Sequence, residues 1–200
     1  MHNPVSLPLQ LWSIHDSQLD DSDRPEPPYD HEDEYEKLIS PQSPHISLVT
    51  DSILKSPVLR ISSPSLPNTY IKCPHLPDLQ LGLSLPFLVF QLRNLDRFFS
   101  FEISVSSRDG KTFLIRSSNF QAQTRVSPLI ATIPMRLDPG WNLLVFNIPD
   151  TVSSLFGSTY KETNSITVNA SCHIRRIFFS DRLVSEDSLP PEFKLYYPTD

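Results

Sequence analysis

Cysteine and histidine are the side chains best suited to bind a metal in this sequence. The two cysteines each lie near a histidine, as Cys73-x-His75 and Cys172-His173. Structural zinc sites usually place about two to four residues between paired ligands. Neighbouring strand residues point to opposite faces, so Cys172 and His173 can hardly share one ion. We expect a small buried thiol beside an exposed imidazole at 172–173, with no metal site.

Hydrolytic and phosphate-binding chemistry have little support in the sequence. Nucleophilic catalysis needs a nucleophile and a base that a third group orients. No G-x-S-x-G elbow occurs, and Gly157-Ser158 is at best a fragment of one. Four glycines, none of them grouped, leave no Gly-rich phosphate loop. We therefore predict a non-enzymatic protein with no cofactor.

Arginines form the candidate binding surface of the chain. We predict that Arg125, Arg136, Arg175, Arg176 and Arg182 include the main partner-binding residues, whereas charge counts alone favour a mixed, solvated face. Arginine forks to carboxylates in a way that lysine does not, which suits an acidic protein surface. Consecutive residues on a strand face opposite sides, so we expect one of Arg175 and Arg176 to reach a partner. The other would pair internally, with Asp181 or Glu186 as candidates.

Charge divides the chain into two parts. Residues 1–45 hold ten acidic and two basic residues, whereas residues 46–200 hold thirteen acidic and fifteen basic ones. We predict one β-sandwich domain over 1–200, in which 17–45 is an acidic, Pro-rich, disordered insert and 58–200 is the main body. No apolar run is long enough for a membrane span, and the start lacks the features of a signal peptide. We expect a soluble intracellular protein with reduced thiols.

Short strands are the predicted elements that position these side chains. The Asp109-Gly110 pair between two apolar runs predicts a β-hairpin. Short helices are expected only at TVSSLFGS (151–158), with Thr151 as a weak cap, and at SEDSLPPEF (185–193). The fold class is therefore all-β, a jelly-roll-like β-sandwich with one or two short helical turns. The strand candidates are 7–14, 56–62, 68–74, 86–94, 98–107, a run after Lys111, 127–135, 141–148, two within 161–180, and 193–198.

Long stretches of the body resemble one known family. They include TYIKCP (69–74), LGLSLPFLVF (81–90), FFSFEISV (98–105), SSNFQAQTRVSPLIATIPMRLDPGWNLLVFNI (117–148), GSTYKET (157–163) and CHIRRIFFSDRLVSEDSLPPEFKLYYP (172–198). LPLQLW (7–12) is similar to the family's first strand. With these stretches the chain resembles the inner-junction family of cilia- and flagella-associated proteins, the basal-body-upregulated type. The short lead before Leu7 and the acidic stretch 17–45 depart from the usual compact form and suggest a divergent paralogue.

This resemblance implies a structural role and a set of partners. It implies a sandwich without catalytic activity that sits in ciliary and flagellar doublet microtubules and at basal bodies. There the family bridges A- and B-tubules at the inner junction and supports cilium assembly and motility. The implied partners are tubulin and neighbours such as the parkin-co-regulated-gene type of protein, with no membrane partner, and a nuclear role is also implied.

Two other functions stay open at this point. A carbohydrate-binding jelly roll would use Trp12, Trp141, Tyr196 and Tyr197 for stacking, although a tryptophan that begins an apolar strand is more commonly in the core. A nuclear adaptor for RNA or DNA would use the same arginines, but no recognition module is visible and the net charge is −6. Steep salt dependence of binding would distinguish the nucleic-acid function.

Overall fold

The computed structural model describes residue 9, residues 11–16 and residues 43–195. These residues form twelve strands and one α-helix. The strands are β1 (Ser13–His15), β2 (Ile46–Thr50), β3 (Pro57–Ile61), β4 (Tyr70–Cys73), β5 (Phe87–Asn94), β6 (Ser100–Ser107), β7 (Thr112–Ser118), β8 (Arg125–Val126), β9 (Ile130–Pro134), β10 (Gly140–Asn147), β11 (Tyr160–Asn169) and β12 (Cys172–Ser180). Helix α1 spans Ile148–Phe156, and two 3-10 turns follow at Glu186–Ser188 and Pro191–Phe193.

Two sheets pack as a sandwich, which confirms the predicted all-β class. One sheet has seven strands in the order β1-β4-β11-β6-β7-β9-β8, and the other has five in the order β10-β5-β12-β3-β2. All neighbouring strands are antiparallel except β7 and β9, which run parallel. Because successive side chains alternate between faces, each strand gives one set of residues to the core and one to the outside.

Aromatic side chains from both sheets join the layers. The ring of Phe90 on β5 lies 4.7 Å from that of Phe101 on β6, which also meets Phe146 on β10 at 5.5 Å. Phe113 on β7 stacks on Phe156 of α1 with centroids 4.1 Å apart. Burying each such ring stabilises the fold by roughly 2–3 kcal/mol, so these contacts fix how the sheets lie on each other.

The hairpin that Asp109-Gly110 predicts is present. Strands β6 and β7 pair antiparallel from Ser100 opposite Ser118 to Ser106 opposite Thr112. Gly110 has a φ of 81°, in the left-handed region where a side chain would be strained. Its N–H donates to the Ser107 carbonyl at 3.1 Å. Local turn chemistry therefore set this register, as the sequence indicated.

The helix begins earlier than its sequence signal suggested. Asn147, not Thr151, is the N-cap, and its side chain accepts a hydrogen bond from the Asp150 N–H at 3.2 Å. Thr151 instead lies one turn inside, where its hydroxyl donates to the Asn147 carbonyl at 2.7 Å. Asparagine caps as well as serine or aspartate, and Pro149 suits a first-turn position that needs no N–H.

Four strands differ from the prediction. Of the described residues in the predicted strand 7–14, only Ser13 and Ile14 are in a strand, which extends to His15, and β2 and the two-residue β8 were not predicted. The predicted last strand at 193–198 is wrong where it is described, since Phe193 ends a 3-10 turn and 194–195 are not in a strand. Its remaining residues, and positions 17–42 of the predicted insert, lie outside the described residues. The division at residue 58 stays a prediction.

Candidate interaction surfaces

The five predicted arginines lie on two different sheets. Arg125 is on β8 and Arg136 follows β9, so both belong to one edge of the seven-stranded sheet. Arg175 and Arg176 are on β12 and Arg182 follows it, within the five-stranded sheet. The sequence analysis grouped them as one candidate surface, whereas in the structure they form two separate groups.

A row of polar side chains crosses the whole outer face of the seven-stranded sheet. Register places Arg125 opposite Thr132, and Thr132 opposite Arg116. Arg116 forms an ion pair with Glu102 at 2.8 Å. The complete row is Ser13, Lys72, Thr167, Glu102, Arg116, Thr132 and Arg125. With three cations and one carboxylate, this row carries a positive charge.

Arg125 and Arg136 are exposed at the end of that sheet. Within 43–195, neither guanidinium forms an ion pair or a side-chain hydrogen bond. An exposed guanidinium without an intramolecular partner keeps its five donors available for another molecule.

The alternation that assigned Arg175 and Arg176 to opposite faces does not hold. The register between β12 and β5 shifts between Ile174 and Arg176, so Arg175 is the extra residue of a β-bulge. A bulge interrupts the regular alternation of a strand. Arg175 donates to the Pro57 carbonyl at 2.8 Å. The expected pairing with Asp181 or Glu186 is wrong for both arginines in the part of the chain that the structure describes.

Arg176 holds the C-terminal segment against the sheet. Its guanidinium donates to the Glu192 carbonyl at 2.6 Å and lies 5.6 Å from the centre of the Phe193 ring. Partial burial, and then the nearby Arg175 charge, lower the pKa of Arg176. Phe193 also packs on Phe178 with centroids 5.0 Å apart. The structure therefore gives Arg176 an internal contact, while Arg182 is exposed and forms no side-chain bond to a described residue.

A second polar row crosses the outer face of the five-stranded sheet. It consists of Trp141, Arg93, His173, Arg60 and Ser47, one residue from each strand in spatial order. Trp141 is thus on the outer face, not in the core as its position predicted. His173 is half-buried rather than exposed, whereas its neighbour Cys172 lies in the core, as alternation predicted.

Asp51 organises this second row, and the sequence analysis missed it. The carboxylate is buried and accepts from Arg93 Nη1 at 2.8 Å and from Trp141 Nε1 at 3.3 Å. His173 Nδ1 lies 3.4 Å from the same group. The backbone N–H groups of Ile53 and Leu54 donate to it at 2.8 and 2.9 Å. The local sequence signal is the Asp51-Ser52 pair, and it indicates a turn.

Opposing effects set the protonation states at Asp51 and His173. Burial alone would raise the pKa of Asp51, but hydrogen bonds from Leu54, Arg93 and other donors hold it well below its usual range. Burial lowers the pKa of His173, and the charges of Arg93 and Arg60 lower it further against the opposing effect of Asp51. At neutral pH the site is an ionised Asp51–Arg93 pair beside a neutral imidazole.

The thiols and one groove are the remaining features that bear on chemistry in the described ranges. Cys73 and Cys172 are both free and buried, and burial raises the pKa of each thiol. No group of three or more histidine, cysteine, aspartate or glutamate side chains comes together among the described residues. A groove of about 830 Å³ beside α1 is lined by residues such as Arg108, Asp150 and Ser153, and its lining includes no histidine. No helix of the described chain is long and apolar enough to cross a membrane.

Comparison with known proteins agrees with this architecture. The sequence pattern of the CFA20 domain matches residues 32–197. The chain belongs to the CFA20 domain family. All five predicted arginines and Asp51 lie inside the matched range, so both polar rows are largely parts of the CFA20 domain.

Curated relatives of the CFA20 domain family are similar over most of this chain. The chain is 48% identical over 154 residues to "Cilia- and flagella-associated protein 20" of Chlamydomonas reinhardtii, over 77% of this chain and 81% of that protein. Proteins of the same name from Paramecium tetraurelia and Caenorhabditis elegans are 46% and 44% identical, over 77% of this chain and 81% and 76% of their own lengths. The family resemblance seen in the sequence is confirmed.

Proposed function

We propose that this protein is a non-catalytic structural component of ciliary and flagellar doublet microtubules. In this role it bridges the A- and B-tubules at the inner junction and supports cilium assembly and motility. The observation that carries the proposal is the 48% identity to a cilia- and flagella-associated protein over 77% of this chain. The proposed partners are tubulin and the parkin-co-regulated-gene type of neighbour, at the axoneme and basal body.

The distribution of charge supports a bridging role. A bridge needs two contact surfaces on one rigid body, and the exposed arginines without described partners lie on two sheets. Arg125 and Arg136 belong to the seven-stranded sheet, whereas Arg182 follows β12 of the five-stranded sheet. Carboxylates on a partner surface would pair with these guanidinium groups and steer docking.

Rigidity supports a structural role over a catalytic one. The outer row around Asp51 fastens the loop after β2 to β5, β10 and β12. Several hydrogen bonds that converge on one buried carboxylate rigidify the loop that carries it. A rigid body with charged outer faces is what an architectural protein requires, and it requires no reactive cleft.

Co-sedimentation with microtubules tests the proposal. The variants are Arg125→Glu with Arg136→Glu, Arg182→Glu alone, and all three together. Each reversal should weaken binding, and the triple variant should bind least, because it repels acidic partners on both sheets. Lys111→Glu is the matched control, since Lys111 is exposed and its ion pair among the described residues is with Asp109 of its own hairpin turn.

Each variant is also expressed with a tag in ciliated cells, where the wild-type protein should be found in axonemes. If the triple variant sediments with microtubules as well as the wild type does, the arginine part of the proposal fails. If the tagged wild-type protein is absent from axonemes and basal bodies, the ciliary proposal itself fails.

A further inference from the structure

Exposed aliphatic side chains lie next to the free arginines of the seven-stranded sheet. Leu129 and Ile130 are 49% and 51% exposed. Ile130 lies opposite Leu114 on β7, one row away from Arg116 and Thr132. We call the surface formed by Leu114, Leu129, Ile130, Arg125 and Arg136 the β8–β9 face.

The face runs from apolar to basic along one strand. Ile130, Thr132 and Pro134 point outward, because Ala131 is fully buried and Ile133 packs against the core. Ile130 and Pro134 are ~13 Å apart at 3.3 Å a residue, and Arg136 lies beyond. Arg125 lies opposite Thr132, between the two ends. This length accommodates about five residues of an extended segment.

Hydrogen bonds hold the face in place before any partner arrives. Ser127 N–H donates to the Ile130 carbonyl at 2.7 Å, and Leu114 N–H donates to the Leu129 carbonyl at 2.9 Å. Met135 N–H, beyond β9, donates to the Ser118 carbonyl at 2.9 Å. A surface that is already ordered loses little conformational freedom on binding, which favours affinity.

We propose that the β8–β9 face binds a protein segment in which an aliphatic or aromatic side chain is flanked by carboxylates. The apolar side chain covers Leu129 and Ile130, and the carboxylates pair with Arg125 and Arg136. This inference deepens the proposed function, on which it rests for the setting of the contact.

Charge and polarity select this occupant. The arginines of the face have no carboxylate partner among the described residues, so an acidic segment adds charge pairs that the free protein lacks. A second copy would bring the same cations to a symmetric contact. A nucleic acid would leave the exposed side chains of Leu129 and Ile130 uncovered.

Selection from a random peptide library tests the inference without microtubules. The full chain is immobilised and challenged with displayed twelve-residue peptides, and the selected peptides are made with a fluorescent label. Selected sequences should contain carboxylates around an apolar residue. Their affinity should fall roughly fivefold for Ile130→Ser and for Leu129→Ser, because each removes buried aliphatic area. Arg125→Glu with Arg136→Glu should weaken binding about tenfold or more.

Leu183→Ser is the matched control, since Leu183 is 71% exposed and lies in another part of the fold. It should bind the peptides as the wild type does. The inference is overturned if no peptide is selected, if the selected peptides lack carboxylates, or if the Ile130 and Leu129 variants bind unchanged. It is also overturned if the face is covered by the chain's own residues 17–42 or by a second copy. If residues 17–42 cover the face, deleting them makes the Ile130 side chain accessible to a chemical probe. If a second copy covers the face, diluting the protein does so.

Co-sedimentation of the same variants is measured in parallel. If the protein binds peptides but not microtubules, the β8–β9 face is retained as a binding site and the proposed microtubule function is rejected. If microtubule binding is unchanged by Ile130→Ser and no peptide is selected, the β8–β9 face is rejected as a binding site and the proposed function is retained.

Discussion

Asp51 shows how a single buried carboxylate fixes a loop on the outside of a sheet. It receives hydrogen bonds from two backbone N–H groups and from side chains on β5, β10 and β12. Asp51→Asn should destabilise the protein by about 3 kcal/mol. It leaves Arg93 without its counter-charge, and the asparagine NH2 group would face the N–H groups that now donate to the carboxylate. Urea unfolding measures the change. Asp78→Asn, at an exposed position, should change the free energy of unfolding by less than ~0.5 kcal/mol.

His173 should make stability depend on pH in the mildly acidic range. The pKa of His173 is lowered in the folded protein. In the unfolded chain this histidine therefore takes up a proton near pH 6.5, while in the folded protein its imidazole stays neutral. Because the unfolded state binds more protons, the free energy of unfolding decreases as pH falls below about 6.5 toward the folded pKa. His173→Gln keeps an amide that can donate to Asp51 but does not titrate, so less stability should be lost between about pH 7.5 and 5.5.

The control for this pH series is His75→Gln, since His75 is exposed. Its stability should follow the wild-type curve. Identical pH profiles for the wild type and His173→Gln would contradict the role of His173.

Arg176 and Arg182 should respond differently to truncation. Arg176→Ala removes a hydrogen bond to the Glu192 carbonyl and a cation–π contact with Phe193. We expect a loss of about 1 kcal/mol in the free energy of unfolding. Arg182→Ala should change it by less than ~0.5 kcal/mol, because its side chain is exposed and forms no hydrogen bond or ion pair with a described residue. Equal stability of the two variants in thermal unfolding would contradict this assignment.

Sequence reasoning located the arginines but not their contacts. Arginine type and family resemblance were visible in the residues, whereas the bulge at Arg175 depends on pairing with β5. The role of Asp51 could not be predicted from the sequence for a similar reason. Its partners lie 42, 90 and 122 residues away, so no local pattern connects them.

At the scale of elements, helix α1 gives a direct comparison of two capping assignments. Asn147→Ala should cost about 1 kcal/mol, because the Asp150 N–H loses its side-chain acceptor. Thr151→Ala should cost less, since alanine is a better helix former and offsets the lost bond from the hydroxyl. Chemical denaturation of both variants decides the order, and a larger loss for Thr151→Ala would favour the cap predicted from the sequence.

The elements that local chemistry determines were the ones predicted correctly. The β6–β7 hairpin follows from Asp109-Gly110, and alternating apolar residues identified most of the strands between 56 and 180. The segment after β12 was predicted as a strand from Phe193 onward, but tertiary contacts decide its conformation. Gln91 Nε2 donates to the Phe193 carbonyl at 2.5 Å, and Phe178 packs on the ring. Strand propensity is weak against such contacts.

At the scale of the whole molecule, the sandwich carries basic groups on two sheets, and the β8–β9 face lies at one edge. Each sheet has one polar row that crosses all of its strands, and the core between them is dominated by aromatic and aliphatic side chains. A rigid body with two separate charged surfaces is suited to hold two partners at a fixed distance. This property connects the fold to the proposed bridge between tubules.

A cryo-electron map of doublet microtubules, from cells that produce the protein, tests the central claim most directly. We predict density for this sandwich between the A- and B-tubules at the inner junction. Arg125 and Arg136 should face one neighbour and Arg182 another. A map in which the junction is fully occupied by other proteins, or in which neither arginine group meets a neighbour, would contradict the account.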